Sequence, residues 1–362
     1  GGGAIPQAGY SNNRIIEDEL FQFRGEVEKE FDGGFLRSVQ FGMNYTTREK
    51  SLTPDEAFVR LPNGATEVAI PSQFLLRSTD LTYLGLGPIV SYDPRELIAD
   101  PSVEAVAICS PAATHADLVV AAARAGKHVF CEKPMASTLA EADRAVEAAR
   151  AADIALQVGF NRRFAADFAD IQARIAAGEI GTPQVLRSLT RDPGISAADA
   201  ARVKPWAVFT ETLIHDFDTV RFLNPGAQVT EVYAQADALV HPQLAGQGFL
   251  DTAVVQIRFD NGAFAVAEAS FQAVYGYDVR GEVFGSRGVL QAGREPDHAA
   301  GANIELFHDA YIAQFAHFAE CVRGGVTPSV TGTDARAALQ IALAARESVE
   351  TKAPVTLNGA RR

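Results

Sequence analysis

The chain has 362 residues, of which 47% are hydrophobic and 21% charged, and its formal net charge is −13. This composition excludes disorder throughout, and the acidic balance argues against a nucleic-acid partner, which would need a basic surface. The three cysteines, Cys109, Cys131 and Cys321, are widely spaced and odd in number, which favours a reducing compartment over a disulfide framework. Neither a signal-peptide pattern nor an apolar run of about 20 residues is visible, so we expect a cytoplasmic protein.

The first elements of the chain are two predicted strands within residues 1–92. Apolar residues alternate with polar ones over residues 21–31 and 35–46, and Asp32-Gly33-Gly34 provides a turn between them. This pattern is typical of a soluble antiparallel hairpin and also of adjacent strands in an outer-membrane barrel. On the pattern alone, the soluble hairpin is favoured.

From about residue 93 onward, short apolar runs alternate with alanine-rich helical segments. The runs at 103–109, 127–131 and 154–159 are typical of buried strands, and the segments at 116–125 and 139–151 are typical of helices. Strand, helix, strand and helix in this order indicate parallel βαβ units of an α/β sheet.

The pattern becomes antiparallel in the later part of the chain. Residues 253–259 and 263–271 flank Asp260-Asn261-Gly262, and Asn-Gly is a strong hairpin signal. Further strands are predicted at 229–240 and 280–284, and two helices, over about 311–322 and 333–347, close the chain.

Polar residues follow two of the predicted parallel strands. Ser110-Pro111 ends the first, with His115 four residues later, and Glu132-Lys133-Pro134 ends the second. Ligands of such sheets bind at the carboxyl ends of the strands, so one crevice could collect these residues. A charged strand end that is merely solvated remains the alternative for each motif taken alone.

A second candidate site is formed by Glu211 and His215. Histidine titrates near neutrality and suits a base that takes an alcohol proton, while the ammonium of Lys133 would stabilise the developing alkoxide. The alternative is a helix-capping or core histidine. Asp216 and Asp218 beside His215 lack the spacing typical of a zinc site, so we expect no metal.

The combination of motifs resembles the Gfo/Idh/MocA family of oxidoreductases over roughly residues 93–362. The resemblance is carried by VEAVAICSPAATHADLVVAAARAGKHVFCEKPMASTLAEADRAVEAARAADIALQVGFNRRF. Later stretches, GEIGTPQVLRSLTRDP, LIHDFDTVRFL and AVYGYDVRGEVFGSRG, resemble inositol 2-dehydrogenase-like members. The resemblance implies oxidation of a polyol or sugar CH–OH to the ketone with NAD (or NADP), in a homodimer or homotetramer.

The resemblance also implies roles for individual residues. Lys133 would be the catalytic lysine, His215 the base, and Glu211 would orient one of them. Residues bordering the cofactor would be Ser110, Pro111, His115, Glu132 and Lys133. Asn161 and Arg163, within the matching GFNRRF stretch, would bind the substrate. Tyr275 and Tyr277, with Asp278, are candidates for the substrate rim, and packing on a sheet is the equal alternative for the tyrosine pair. The chain departs from the family where Glu211 replaces the usual Asp and where Pro205-Trp206-Ala207 replaces a small, glycine-rich stretch.

The glycine-rich fingerprint of a dinucleotide site is missing. Gly85-Leu86-Gly87 is followed by Pro88, and no G-x-G-x-x-G occurs in the chain. The stretches FDGGFLRSVQFGMNYTTREKS, FVRLPNGATEVAIPSQFL and LGLGPIVSYDP instead resemble TonB-dependent receptors. We therefore expect a hybrid chain joined near Tyr92-Asp93-Pro94.

The expected fold is α/β plus α+β: an incomplete Rossmann-like nucleotide domain, then a domain with a large open antiparallel sheet. We place an atypical hairpin segment at 1–92, a remnant of the dinucleotide domain at 93–135, and a substrate and oligomerisation domain at 136–362, whose last helix could return to the nucleotide domain. The alternatives to an active dehydrogenase are an inactive fusion without dinucleotide binding, an outer-membrane receptor fragment and a soluble sugar-binding protein. No membrane contact is expected for 93–362.

Overall fold

The computed structural model describes residues 9–30, 38–59, 94–194, 200, 203–293, 306–324 and 326–357, the first two ranges by their backbone alone. The chain divides into two compact units, Gly1–Leu75 and Leu76–Arg362, which are treated separately below. No helix in the described ranges is both long and apolar enough to cross a bilayer.

The first unit contains two long antiparallel strands, β1 (Gly9–Glu30) and β2 (Ser38–Val59). Phe23 lies opposite Tyr45, and Val27 lies opposite Phe41. Because directly opposed residues share a face of the pair, these apolar positions fall on one face. The predicted turn at residues 32–34 lies outside the described residues, and the domain boundaries at 92 and 135 stay predictions.

The second unit begins with the predicted parallel sheet. After α1 (Pro94–Ala99), three parallel strands lie in the order β3 (Ala105–Ile108), β4 (His128–Cys131) and β5 (Leu156–Val158). They are connected by α2 (His115–Arg124) and α3 (Leu139–Ala151). The Rossmann-like α/β part of the fold prediction is confirmed.

Local sequence signals explain these boundaries. Thr138 caps α3 through a capping box with Glu141, as its spacing predicted. Gly126 ends the α2 turn at a φ of 70°, a conformation that costs glycine little. Val129, Phe130 and Cys131 of β4 are fully buried, because this strand is central in the sheet.

A seven-stranded sheet forms the second layer. Its strands are β6 (Pro183–Arg191), β7 (Val229–Asp237), β8 (Thr252–Phe259), β9 (Phe264–Ser270), β10 (Asp278–Gly285), β11 (Gly288–Ala292) and β12 (Val355–Thr356). They lie in the order β11-β10-β6-β9-β8-β7-β12. The predicted hairpin joins β8 to β9, with Gly262 at a φ of 88°.

This sheet is mixed rather than purely antiparallel. β6 pairs parallel with β9 and antiparallel with β10, while the other neighbours in the sheet are antiparallel. The sequence pattern located β7, β8, β9 and β10 but not β6, β11 or β12. It could not show the parallel pair, because β6 pairs with strands that lie far along the chain. The predicted second domain with a large sheet is confirmed, with this one parallel pair as the difference.

Helices cover the inner face of the large sheet. They are α4 (Ala166–Ala176), α5 (Ile214–Phe222) and α7 (Gly332–Thr351), and α6 (His308–Val322) packs on the parallel sheet through Phe318 and Phe130. α7 also reaches the first sheet: an ion pair joins its Arg336 to Asp143 of α3. The closing helix therefore connects both parts of this unit.

Candidate active site

The Glu132-Lys133-Pro134 turn leaves the carboxyl end of β4, the central parallel strand. Lys133 Nζ donates a hydrogen bond to the main-chain oxygen of Glu211, 2.8 Å away. Burial lowers the pKa of Lys133, and the negative charges of Glu132 and Glu211 oppose that shift. A lysine whose pKa is lowered by burial gives up its proton more readily than an exposed one, which suits a group that shares a proton with an alcohol oxygen.

The carboxyl of Glu132 lies directly over Gly159, just after the end of β5. A Cβ at residue 159 would come within 2.9 Å of the Glu132 carboxyl atoms, so only glycine leaves them room. The backbone N–H of Lys133 donates to Glu132 Oε2 at 3.3 Å. Burial raises the pKa of Glu132, while the charges of Lys133 and His115 act in the opposite direction.

His215 lies at the start of α5, and its ring is only partly exposed. The ring packs edge-on against Phe160, with 5.8 Å between centroids, and its Nδ1 is enclosed without a hydrogen-bond partner. Burial, together with the positive charges of Lys133 and Arg162, lowers the pKa of His215 well below its usual value. The ring is therefore neutral at neutral pH and able to accept a proton.

Glu211 lies in a single π-helical turn, Val208–Thr212, that precedes α5. The Leu213 N–H donates to Val208 O at 2.8 Å, the i to i+5 bond that defines such a turn. The glutamate side chain is exposed, and its main-chain oxygen is the atom that meets Lys133. The sequence suggested that the carboxylate orients Lys133 or His215, whereas the structure brings Lys133 to the main chain.

The residues that end β3 surround His115. Ser110 Oγ and Thr114 Oγ1 share a hydrogen bond of 2.6 Å. His115 is 2% exposed, and its two ring nitrogens contact the main-chain oxygens of Pro134 and Ser110. Ser110, Pro111 and His115 are thus joined to the turn that carries Glu132 and Lys133, as the sequence suggested for one crevice.

The four residues expected at the substrate are placed differently from one another. Asn161 is buried in the 3-10 turn after β5. Arg163 binds both carboxylate oxygens of Asp218, with further contacts to Asp334 and to the main chain of Ser329. Tyr275 donates its hydroxyl to Asp278 and accepts from Arg191.

Tyr277 is the buried member of the tyrosine pair, at 8% exposure. Burial raises the pKa of its hydroxyl, and the charge of Arg162 opposes that shift. The negative charges of Asp192 and Asp216 also reach it. Tyr277 therefore lies near Arg162, whose charge also reaches Lys133 and His215. The guanidinium of Arg163 is instead bound by Asp218 and Asp334.

Sequence reasoning missed a buried ion pair beneath this region. Arg162 Nη1 donates to Asp216 Oδ1 at 2.8 Å, and both side chains are almost completely buried. Ser188 and Thr190 of β6 donate to the same carboxylate at 2.6 Å. The pair of adjacent arginines at 162–163 was the only signal, and the sequence alone does not show which arginine turns inward.

Asp192 was also missed. It follows β6, and burial raises its pKa to about 6, with the charges of Arg162 and Lys133 opposing that shift. A carboxyl that titrates close to neutrality beside Lys133 has the character of a functional group. Its position directly after a strand was the signal that could have identified it.

The site fits one half of a nicotinamide dinucleotide. The enclosed, unpartnered Nδ1 of His215 and the Glu132 carboxyl over Gly159 offer polar atoms for a nicotinamide ribose and a reacting alcohol. The pyrophosphate-binding sequence G-x-G-x-x-G does not occur among the 362 residues. Across the part of the chain that the structure describes, no three His, Cys, Asp or Glu residues are arranged to hold a metal ion.

Two family models match the chain. The model of an oxidoreductase family with an NAD-binding Rossmann fold matches residues 62–160, and the GFO/IDH/MocA C-terminal domain matches residues 168–291. The first match begins upstream of the join expected near residue 93. The resemblance of residues 10–92 to TonB-dependent receptors has no support from these matches.

Curated relatives and solved structures agree with this result. The chain is 41% identical over 279 residues to myo-inositol 2-dehydrogenase of Thermotoga maritima, covering 73% of this chain and 83% of the relative. It is 38% identical to scyllo-inositol 2-dehydrogenase (NAD(+)) of Bacillus subtilis, covering 74% and 82%. A putative myo-inositol dehydrogenase from Sinorhizobium meliloti superposes with a TM-score of 0.67 at 30% identity, covering 74% and 84%. The chain therefore belongs to the Gfo/Idh/MocA family of oxidoreductases, whose nucleotide domain is an NAD-binding Rossmann fold.

Proposed function

We propose that this chain oxidises one CH–OH group of an inositol, or of a closely similar polyol, to the ketone. The relatives named above supply the substrate class, because their names state dehydrogenation of myo- and scyllo-inositol. The observation that carries the proposal is the position of His215 at the start of α5, against Phe160 and near Lys133. Burial lowers the pKa of this imidazole, and the nearby ammonium of Lys133 lowers it further. The site thus holds a proton acceptor, His215, close to a cation, Lys133.

The residues divide the proton chemistry between them. His215 accepts the hydroxyl proton, and Lys133 donates a hydrogen bond to the oxygen as negative charge develops there. The C–H bond breaks with its electron pair while the C=O bond forms. A bound NAD would supply the hydride acceptor. The proton on His215 then passes to solvent, so that one hydride and one proton leave the alcohol.

The remaining residues would hold the reactants. Glu132 and the end of β3, with Ser110, Pro111 and His115, would border the nicotinamide ribose. Asn161 and Tyr277 are buried candidates for hydroxyl recognition, with Asp192 as a third. Arg163 and Tyr275 would act indirectly, because Asp218 and Asp278 already engage them.

The outer face of the large sheet supports a homodimer or homotetramer. Val254, Phe264, Phe284 and Val289 are exposed there, and such apolar surface favours burial against another copy. Light scattering of the purified chain tests this, and replacing Phe264 and Phe284 by Ser should lower the mass. We also place the protein in the cytoplasm, since the three cysteines are free thiols.

The direct test is NADH formation by the purified full chain with NAD⁺ and myo-inositol or scyllo-inositol, using Lys133→Met as the inactive control. A second candidate, a chain that has lost dinucleotide binding, is favoured by the missing glycine fingerprint. Titration with NADH, followed by nicotinamide fluorescence, distinguishes them. Binding with polyol oxidation supports the dehydrogenase, and absence of binding overturns it.

A further inference from the structure

The side chain of His115 bridges two strand ends. Its Nδ1 lies 2.9 Å from the main-chain oxygen of Pro134, and its Nε2 lies 2.6 Å from the main-chain oxygen of Ser110. Pro134 directly follows Lys133, and Ser110 follows the end of β3. One ring therefore joins the two places where the site residues leave the parallel sheet.

Both partners of this ring are carbonyl oxygens, which can only accept hydrogen bonds. A neutral imidazole carries a single N–H, so it can satisfy only one of them, whereas the doubly protonated ring satisfies both. His115 is 2% exposed, which leaves water little access to the ring. The carboxyl of Glu132 lies close enough for a charge on His115 to favour its ionised form, so this carboxylate can supply the negative charge that a buried cation needs.

We propose that His115 is a positioning residue that carries a proton on each ring nitrogen and clamps the carbonyls of Ser110 and Pro134, thereby fixing the direction in which Lys133 leaves β4. The proposal rests on the function proposed for Lys133. It departs from the role that the family resemblance implies, in which His115 borders the cofactor directly. Both ring nitrogens are already engaged, so His115 acts through Lys133 and Ser110.

A matched control lies at the opposite end of the same strand. His128 begins β4, and its Nδ1 accepts a hydrogen bond from the Ala155 N–H at 3.0 Å. His128 is partly buried, and like His115 it ties β4 to a neighbouring segment. It lies at the end of the strand away from Lys133. His115→Gln and His128→Gln should therefore lower thermal stability alike.

The two variants should differ in their kcat for polyol oxidation. His115→Gln is expected to lower kcat for polyol oxidation about 100-fold, since a misplacement near an ångström costs that much, while KM for the polyol changes little. His128→Gln should keep kcat within about twofold. Equal kcat values for the two variants, with the wild type active, would overturn the positioning role. An inactive wild type would instead count against the proposed function.

The protonation of the ring is measured without any turnover. In the full chain labelled with ¹⁵N-histidine, one of the seven histidines should show two hydrogen-bonded ring N–H signals at neutral pH. The signals should vanish in His115→Gln and persist in His128→Gln. Replacing the other six histidines one at a time assigns them by exclusion if His115→Gln does not fold. A ring with only one N–H at residue 115 sinks the proposal.

Discussion

Lys133 Nζ donates a hydrogen bond to the main-chain oxygen of Glu211, across 78 residues of chain, at a distance of 2.8 Å. The contact joins the turn after β4 to the π-helical turn before α5, so it brings the lysine next to the segment that carries His215. It does not depend on the Glu211 carboxylate, whose side chain is exposed.

Replacing Glu211 by Gln should therefore leave the geometry of Lys133 intact. The variant loses only the negative charge that helps to keep Lys133 protonated, and we expect kcat to fall by less than about tenfold. Lys133→Met removes the group itself and should lower kcat by about 10²–10⁴-fold. Steady-state kinetics with NAD⁺ and inositol compare the two, and equal losses would show that the carboxylate is needed.

Gly159→Ala should weaken cofactor binding. Its new Cβ would lie 2.9 Å from the Glu132 carboxyl, which must then move away from its position beside Lys133. We expect NADH to bind about tenfold more weakly, near 1.4 kcal/mol. Gly288→Ala is the control, because its Cβ would meet only Ile180 at an ordinary 3.6 Å. Fluorescence titration with NADH measures the dissociation constant for both variants. Unchanged binding in Gly159→Ala would contradict a role for Glu132 in binding the cofactor.

The raised pKa of Asp192 predicts a pH-dependent stability. Burial moves this pKa from its ordinary value of 3.8 to about 6, so between these pH values the folded chain holds a proton that the unfolded chain releases. The contribution of Asp192 to the free energy of unfolding is thus fully present below about pH 4 and is lost as pH rises to about 6.

Asp192→Asn should remove this loss. Urea unfolding at several pH values measures the free energy of unfolding of the variant and the wild type. Relative to the wild type, the value for the variant should rise by up to roughly 3 kcal/mol between pH 4 and pH 6, with no further change above pH 6. A stability difference that stays constant over that interval would show that Asp192 does not titrate there.

The buried pair of Arg162 and Asp216 should matter for folding more than any surface pair. Arg162→Met leaves the Asp216 carboxylate buried without its cation, and we expect a loss of roughly 3–5 kcal/mol in the free energy of unfolding. Arg144→Ala breaks the exposed pair with Asp117 and should cost about 0–1 kcal/mol. Chemical denaturation measures both, and similar losses would argue against the importance of the buried network.

Much of the second unit could be predicted from its sequence. The strands β3, β4 and β5, the capping box at Thr138 and the hairpin around Gly262 all follow from local signals, which act over a few residues. The parallel pairing of β6 with β9 could not be predicted. It depends on contacts between segments that are far apart along the chain.

The candidate site could likewise be predicted only in part. Lys133 and His215 could be found from residue type and family resemblance, because their chemistry is visible in the sequence. The orientation of neighbouring side chains was not visible: Arg162 turns inward to Asp216, whereas Arg163 turns to Asp218. The main-chain contact of Glu211 was hidden for another reason, since any residue supplies a carbonyl oxygen.

The π-helical turn at Val208–Thr212 determines which sequence changes the site can tolerate during evolution. Its backbone presents the residue-211 oxygen to Lys133. A main-chain oxygen is present whichever residue type occupies the position, so this hydrogen bond depends on the backbone conformation and not on the side chain. The side chain at 211 can therefore change while Lys133 keeps its main-chain partner.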